Sequence, residues 1–119
     1  MPAPESGLLV LGLDPGSRCT GYGLVRERSG RLELVDTGTI RPKNTGDLSC
    51  RLGELFSGVS EVIQCYQPRV AAVEDIFVAR NTASALKLGQ ARVAVITACA
   101  FQAVSVYHYE GRFITKTLW

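Results

Sequence analysis

The sequence has few of the residue patterns that mark a disulfide framework or a zinc site. Its four cysteines, Cys19, Cys50, Cys65 and Cys99, are far apart and never form a C-x-x-C pair. The only histidine, His108, has no cysteine close to it in the sequence, so a zinc site is not indicated. Free thiols in a reducing compartment are the simpler interpretation, and they predict a cytoplasmic protein.

Long hydrophobic runs and a strong charge of one sign are also missing. The apolar run that starts at Leu8 is interrupted by Gly12 and Asp14, and no positive region precedes it. We therefore predict neither a signal peptide nor a membrane span. The 13 basic and 11 acidic residues give a net charge of +2, which is too small to indicate nucleic-acid binding by itself. The 119 residues, 46% of them hydrophobic, suffice for one domain with a core.

Strand and helix signals alternate along the chain and predict an α/β domain. The predicted elements are strands at 8–13, 20–26 and 32–40, a helix at 48–66 capped by Asp47 and stopped by Pro68, a strand at 70–73, a helix from Asn81 or Thr82 to about Ala103, and a strand at 104–109. The order βββαβαβ, with an antiparallel meander first, predicts a mixed five-stranded sheet. Because the first strand has no polar alternation, we expect it to be covered on both faces.

The second predicted helix is unusually apolar along its whole surface. From Ala91 to Phe101 nearly every residue is apolar, whereas a surface helix normally keeps a polar face. This pattern has two interpretations, which it does not separate. The helix is either buried in the centre of the domain or packed against another helix, which a further part of the domain or a second copy of the chain can provide.

Two carboxylates stand where apolar strands end. Asp14 follows the first strand, Glu74 follows the fourth, and the helix between them is the kind of crossover that makes two strands parallel. If these strands are neighbours, both side chains lie at the carboxyl edge of the sheet, where a cation relieves their repulsion. Alternatively, Asp14 is a turn residue before Pro15 and Glu74 is only the first solvated residue. Asp75 points the opposite way along its strand and is a weaker candidate.

Basic and aromatic residues close to these strand ends are candidate contacts to phosphates and bases. Arg18, Arg80, Lys87 and Arg92 follow the two strands or lie on the next helix, where they can neutralise phosphates. Their alternative role is ordinary surface solvation. An exposed Phe77 can stack on a base, and its alternative role is a core aromatic at the strand end.

The motifs that surround these candidates resemble those of the RuvC family of Holliday junction endonucleases. The matching segments are LGLDPGSR at 11–18, TGYG at 20–23, Val73-Glu74 with Phe77, and SALKLGQAR at 84–92. The resemblance extends from Leu8 to about Thr117 and covers nearly the whole chain.

This resemblance implies a ribonuclease H-like fold with helices on the faces of the sheet, and a nuclease acting in recombination and repair. It implies that a homodimer binds four-way junction DNA and makes paired nicks with Mg²⁺, for which Mn²⁺ is a possible substitute. Asp14 and Glu74 match the family's catalytic metal ligands, and Phe77 matches an aromatic residue that acts at the centre of the junction.

The resemblance also implies partners and further DNA contacts. The helix from Ser84 to Ala103 matches the family's dimerisation helix, and a branch-migration helicase complex is the implied protein partner. Lys87, Arg92 and Lys116 are the implied contacts to the DNA backbone, and no membrane is involved.

One departure from the family pattern affects the expected activity. Family members continue with a helical region that brings two more acidic ligands, or an acid and a histidine, whereas no Asp, Glu or His follows Glu110 here. We therefore expect residues 8–119 to be a nuclease domain that is incomplete at its C-terminus. Residues 1–7, which are small, polar and acidic, are expected to be a disordered tail.

Two alternative functions follow. The first is a module that binds junctions without cleaving them, because half of the metal site is absent. The second is a kinase or ATPase of the actin-like fold, which would need a second domain and another phosphate loop. The 119 residues leave no room for these.

Overall fold

The computed structural model describes residues 7–16, 18–43, 46–75 and 82–110. Within these ranges the elements are β1 (Leu8–Asp14), β2 (Thr20–Arg28), β3 (Arg31–Ile40), α1 (Leu48–Tyr66), β4 (Val70–Asp75), α2 (Thr82–Phe101) and β5 (Ser105–Glu110). The predicted order βββαβαβ is confirmed. The expected tail, residues 1–7, lies outside the described residues except for Gly7, so the predicted domain limits stay a prediction.

The strands form one mixed sheet in the order β3-β2-β1-β4-β5. The first three strands are an antiparallel meander, as predicted, while β4 runs parallel to β1 and β5 runs parallel to β4. The sheet therefore brings the carboxyl ends of β1, β4 and β5 to one edge. Helix α1 makes the crossover from β3 to β4, and α2 makes the crossover from β4 to β5.

The hydrophobic core lies between one face of the sheet and both helices. It contains Leu11, Leu13, Leu24, Ala71 and Val73 from the sheet, Val59, Val62 and Ile63 from α1, Val95, Ala98 and Cys99 from α2, and Val104. On the opposite face of β1, Val10 and Gly12 are only partly buried. In the described part of the chain, both helices thus cover the same face, and the expected cover on both faces of β1 is not found there.

Helix α1 begins and ends where the sequence predicts. The side chain of Asp47 accepts a hydrogen bond from the backbone N–H of Ser49 at 3.0 Å, which caps the first turn. Gln67 ends the helix in the left-handed conformation at φ 50°. The hydroxyl of Tyr66 donates a hydrogen bond to Asp36 of β3, which ties the end of the helix to the sheet.

Helix α2 ends at Phe101, two residues before the predicted end near Ala103. Ala103 adopts a left-handed conformation with φ 58°, and the N–H of Val104 donates to the carbonyl of Cys99 at 2.9 Å. This turn closes the helix and leads directly into β5.

The outer side of α2 is exposed within the described part of the chain, so α2 is not a central buried helix there. Leu86 is 62% exposed and Val93 is 63% exposed, and Gly89 and Thr97 lie on the same side of the helix.

The thiols match their predicted state. All four cysteines are free, and Cys99 is buried in the core. Among the described residues, no helix is both long enough and apolar enough to cross a membrane.

Candidate active site

Asp14 and Glu74 lie next to each other at the carboxyl edge of the sheet, as the sequence predicts. Leu13 pairs with Val73 in the parallel β1–β4 ladder, so the two acidic residues follow at the same level. Both side chains project from the sheet face opposite the helices, because their neighbours Leu13 and Val73 project into the core.

The contact between the two carboxyl groups changes the acidity of Glu74. Burial, a hydrogen bond with Asp14 and the negative charge of Asp14 together raise the pKa of Glu74 to about 7. Near neutral pH the pair therefore holds a shared proton easily, and a cation can take its place.

The carboxylate oxygens of Asp14 and Glu74 are suitable ligands for Mg²⁺ or Mn²⁺, because both ions prefer carboxylate oxygens. In the part of the chain that the structure describes, no group of three or more His, Cys, Asp and Glu side chains converges. Asp14 and Glu74 can thus supply two ligands. Mg²⁺ usually keeps several waters and needs few protein ligands, so the residues present fit one hydrated ion.

Tyr109 forms a third side of this site, although no motif in the sequence marks it. It pairs with Glu74 across the β4–β5 ladder and projects from the same face. Burial, and then the negative charges of Glu74 and Asp14, raise the pKa of the Tyr109 phenol to about 12. The phenol thus stays neutral at physiological pH and lies within reach of both charges.

The β2 side of the pair is formed by glycine. Gly21 pairs with Asp14, and a Cβ at Gly21 would lie 3.8 Å from the Cβ of Asp14. Gly23 pairs with Gly12 in the next position on the same face. Because glycine has no side chain, β2 places no side chain beside Asp14 at these positions, and a large substrate has room to approach Asp14 from this side.

Asp75 lies on the helix side of the sheet, opposite to Glu74, as its position in the strand predicts. There it forms an ion pair with Arg92 of α2, and the Nδ1 atom of His108 lies 3.5 Å from its carboxylate. Arg92 also contacts His108 and donates a hydrogen bond of 2.8 Å from Nη1 to the backbone carbonyl of Glu74. Arg92 is thus turned towards the end of β4.

The other predicted DNA contacts are only partly described. Arg18, in the β1–β2 loop, and Lys87, near the start of α2, are both exposed. These segments follow the carboxyl ends of β1 and β4, while α2 covers the sheet face opposite to the acidic pair. Lys87 also lines a small groove between α1 and α2 with Leu48, Arg51, Leu52, Leu55, Gln90 and Ala91. Phe77, Arg80 and Lys116 lie outside the described residues, and every DNA contact stays a prediction.

The strand order, the parallel pairing of β1 with β4 and the crossover helices define a ribonuclease H-like α/β domain. The family model described as "Crossover junction endodeoxyribonuclease RuvC" matches residues 10–119. The chain therefore belongs to the RuvC family, which confirms the resemblance seen in its motifs.

Curated relatives and a solved structure agree with this assignment. The RuvC endonuclease of Solidesulfovibrio magneticus is 54% identical over 92% of this chain and 65% of its own length. That of Nitratidesulfovibrio vulgaris is 51% identical over 95% of this chain and 68% of its own length. T. thermophilus RuvC in complex with a Holliday junction substrate is 28% identical with a TM-score of 0.84, over 93% of this chain and 68% of that one. The chain thus spans about two thirds of the length of these relatives.

Proposed function

We propose that this chain provides the β1–β5 part of a structure-selective endonuclease that binds four-way DNA junctions as a homodimer. The nuclease resolves the junctions by paired, Mg²⁺-dependent hydrolysis of phosphodiester bonds, in cytoplasmic recombination and DNA repair. The observation that carries this proposal is the contact of Asp14 with Glu74 at the carboxyl edge of the sheet in a chain of the RuvC family.

In this function Asp14 and Glu74 are the metal ligands and the catalytic residues. The ion that they would hold, Mg²⁺ or Mn²⁺, would lower the pKa of a bound water and stabilise negative charge on the phosphate. Because the raised pKa lets Glu74 keep a proton below about pH 7, and this proton competes with a cation, metal binding should strengthen as the pH rises through this value. Tyr109 limits water on the β5 side of the pair, and Gly21 leaves the β2 side open to the DNA.

The DNA contacts follow from the same edge of the fold. Arg18 and Lys87 are exposed and lie in the segments that follow the two strands of the acidic pair, so their charges can neutralise phosphates of DNA bound near this edge. Phe77 and Lys116 join them on the strength of the family resemblance, and Arg80 joins them because it follows the strand of Glu74 in the sequence. The same resemblance supports a branch-migration helicase complex as a protein partner.

The homodimer is proposed to form through α2. Its exposed side carries apolar and small residues at helical spacing, Leu86, Gly89, Val93 and Thr97, and this side is suited to close packing against an identical helix. An apolar helix face of this kind is better explained by a partner than by exposure to water.

One observation favours a second candidate, a module that binds junctions without cleaving them. In the described residues the acidic pair has no third acidic or histidine ligand, which a two-metal site needs. This candidate keeps Arg18, Lys87 and the dimer helix, and it predicts binding without nicks.

The test is incubation of the protein with a labelled four-way junction in Mg²⁺, with products separated on a denaturing gel and binding followed on a native gel. We expect symmetric nicks that Asp14→Asn or Glu74→Gln abolish, while both variants still shift the junction. Glu61→Gln, which removes an exposed carboxylate on α1, is the matched control and should cut like the parent protein.

The remaining outcomes separate the candidates. A shifted but intact junction in Mg²⁺ and in Mn²⁺ would support the binding module. Cutting by Asp14→Asn at the parent's rate would show that the acidic pair is not the catalytic site.

A further inference from the structure

Arg92 connects α2 to the end of β4, the strand that carries Glu74. One end of its guanidinium donates to the backbone carbonyl of Glu74 at 2.8 Å, and the other forms an ion pair with Asp75. His108 of β5 contacts both Arg92 and Asp75. Glu74 and Asp75 are the last two residues of β4, so Arg92 holds the end of this strand.

The burial of this contact separates Arg92 from the exposed cations. Its side chain is 22% exposed and that of Asp75 is 27% exposed, whereas Lys87 and Arg18 are exposed residues. The planar guanidinium can bind a carbonyl and a carboxylate at once, which the ammonium group of a lysine cannot do with the same geometry. Its donors are directed into the protein, towards β4.

Arg92 supports the acidic pair from the opposite face of the sheet. Asp75 and His108 lie on the helix side, and Glu74 lies on the opposite side, so Arg92 does not touch the Glu74 carboxylate. It fixes the carbonyl of Glu74 and the side chain of Asp75, and thereby the direction in which the Glu74 side chain leaves the strand.

We propose that Arg92 is a positioning residue, which holds Glu74 in the orientation that binds a divalent cation together with Asp14, with Asp75 and His108 fixing the guanidinium. This inference rests on the proposed function of the acidic pair. It gives Arg92 a role different from the phosphate contact that its sequence position predicts.

Charge and position predict opposite effects on metal affinity. Arg92 is a cation close to a cation site, so if only its charge mattered, Arg92→Gln would strengthen metal binding. If Arg92 positions Glu74, its loss should weaken binding by about 10–100-fold, as the loss of outer partners of metal ligands commonly does. Arg92→Lys keeps the charge and loses the geometry, so it should weaken binding as well.

The experiment measures Mn²⁺ binding to the protein and to Arg92→Gln and Arg92→Lys, by the electron paramagnetic resonance signal of free Mn²⁺. Lys87→Gln, an exposed cation on the same helix, is the matched control. Hydrogen exchange of the Glu74 and Asp75 amides is followed in the absence of metal, and circular dichroism confirms that each variant is folded. If Arg92→Gln does not fold, Arg92→Lys carries the test.

We expect weaker Mn²⁺ binding and faster exchange at Glu74 and Asp75 in both Arg92 variants, with Val70–Val73 and Lys87→Gln unchanged. Junction binding without metal should fall in Lys87→Gln and hardly change in the Arg92 variants. Mn²⁺ affinity in Arg92→Gln equal to or above that of the parent protein would overturn the proposal, and so would full recovery in Arg92→Lys.

Failure of the proposed function gives a different result. If the parent protein binds no Mn²⁺, or Asp14→Asn binds it equally well, the acidic pair is not the metal site. The hydrogen-exchange data then show whether Arg92 holds the end of β4, independently of metal binding. Unchanged exchange at Glu74 and Asp75 would overturn this role of Arg92, and faster exchange would support it.

Discussion

At the scale of single residues, the acidic pair couples stability to pH. The pKa of Glu74 rises from 4.5 to about 7 on folding, through burial and contact with Asp14. A carboxyl group with a raised pKa stabilises the fold fully below its unfolded pKa, and this contribution is lost as the pH rises through the folded pKa. We expect the melting temperature of the metal-free protein to fall between pH 4.5 and about 8, as measured by thermal unfolding in a chelator.

Two controls test the cause of that decrease. Glu74→Gln should flatten the pH profile, while Glu61→Gln should keep it. Adding Mg²⁺ at pH 8 should raise the melting temperature of the parent protein and leave that of Glu74→Gln unchanged, because only the intact pair gains a bound cation. A parent profile that is flat from pH 4.5 to 8 would contradict the raised pKa.

The sequence predicts the positions of Asp14 and Glu74 because strand ends and a crossover helix can be recognised locally. It does not predict Tyr109, since that requires the alignment of β5 with β4, in which Tyr109 pairs with Glu74. The direction of the Arg92 side chain depends on how α2 is rotated over the sheet. Because this helix has hardly any polar face, the sequence does not predict which side of it packs on the sheet.

At the scale of elements, two glycines of α1 should respond in opposite ways to alanine. Gly53 has no atom within 4 Å of its Cβ position, so Gly53→Ala should raise the free energy of unfolding by about 1 kcal/mol through helix propensity. At Gly58 the added Cβ would lie 2.4 Å from Cγ2 of Ile40 on β3. Overpacking costs about 1–3 kcal/mol, so Gly58→Ala should lower the free energy of unfolding.

Urea unfolding of the two variants measures both effects, and a double variant tests the contact. Ile40→Ala removes the methyl group that the new Cβ would meet, so Gly58→Ala should cost less in that background than in the parent protein. Equal costs in the two backgrounds would show that Ile40 does not limit the approach of α1 to β3.

Element boundaries were predicted best where a residue with a definite local preference marks them. Asp47 and Pro68 set the limits of α1. Strands β2 and β3 extend to Arg28 and Arg31, closer to the turn than predicted, because Ser29 and Gly30 both have positive φ and form a two-residue hairpin turn. The end of α2 was misplaced because alanine rarely adopts the left-handed conformation that Ala103 has.

At the scale of the whole molecule, the exposed side of α2 predicts the oligomeric state. In the proposed dimer, Val93→Glu would bury an unpaired carboxylate and raise the dissociation constant by about 100-fold or more. Sedimentation velocity over a range of protein concentrations measures this change. Leu34→Glu on β3, at a side chain that is 55% exposed, is the matched control and should sediment like the parent protein.

If Val93→Glu and Leu34→Glu have the same effect on sedimentation, the proposed α2 interface is wrong. Junction binding by both variants, measured on native gels, shows whether the monomer still recognises DNA.

The position of β4 between β1 and β5 has a consequence for synthesis on the ribosome. The β1–β3 meander is complete by Ile40, and its pairs are local. The second edge of β1, an apolar strand, then has no partner until α1 and β4 have been made, and an open apolar edge invites pairing with other chains. Insertion of β4 is therefore the step that protects the nascent protein from aggregation, and slow elongation between Ile40 and Val70 prolongs the vulnerable interval.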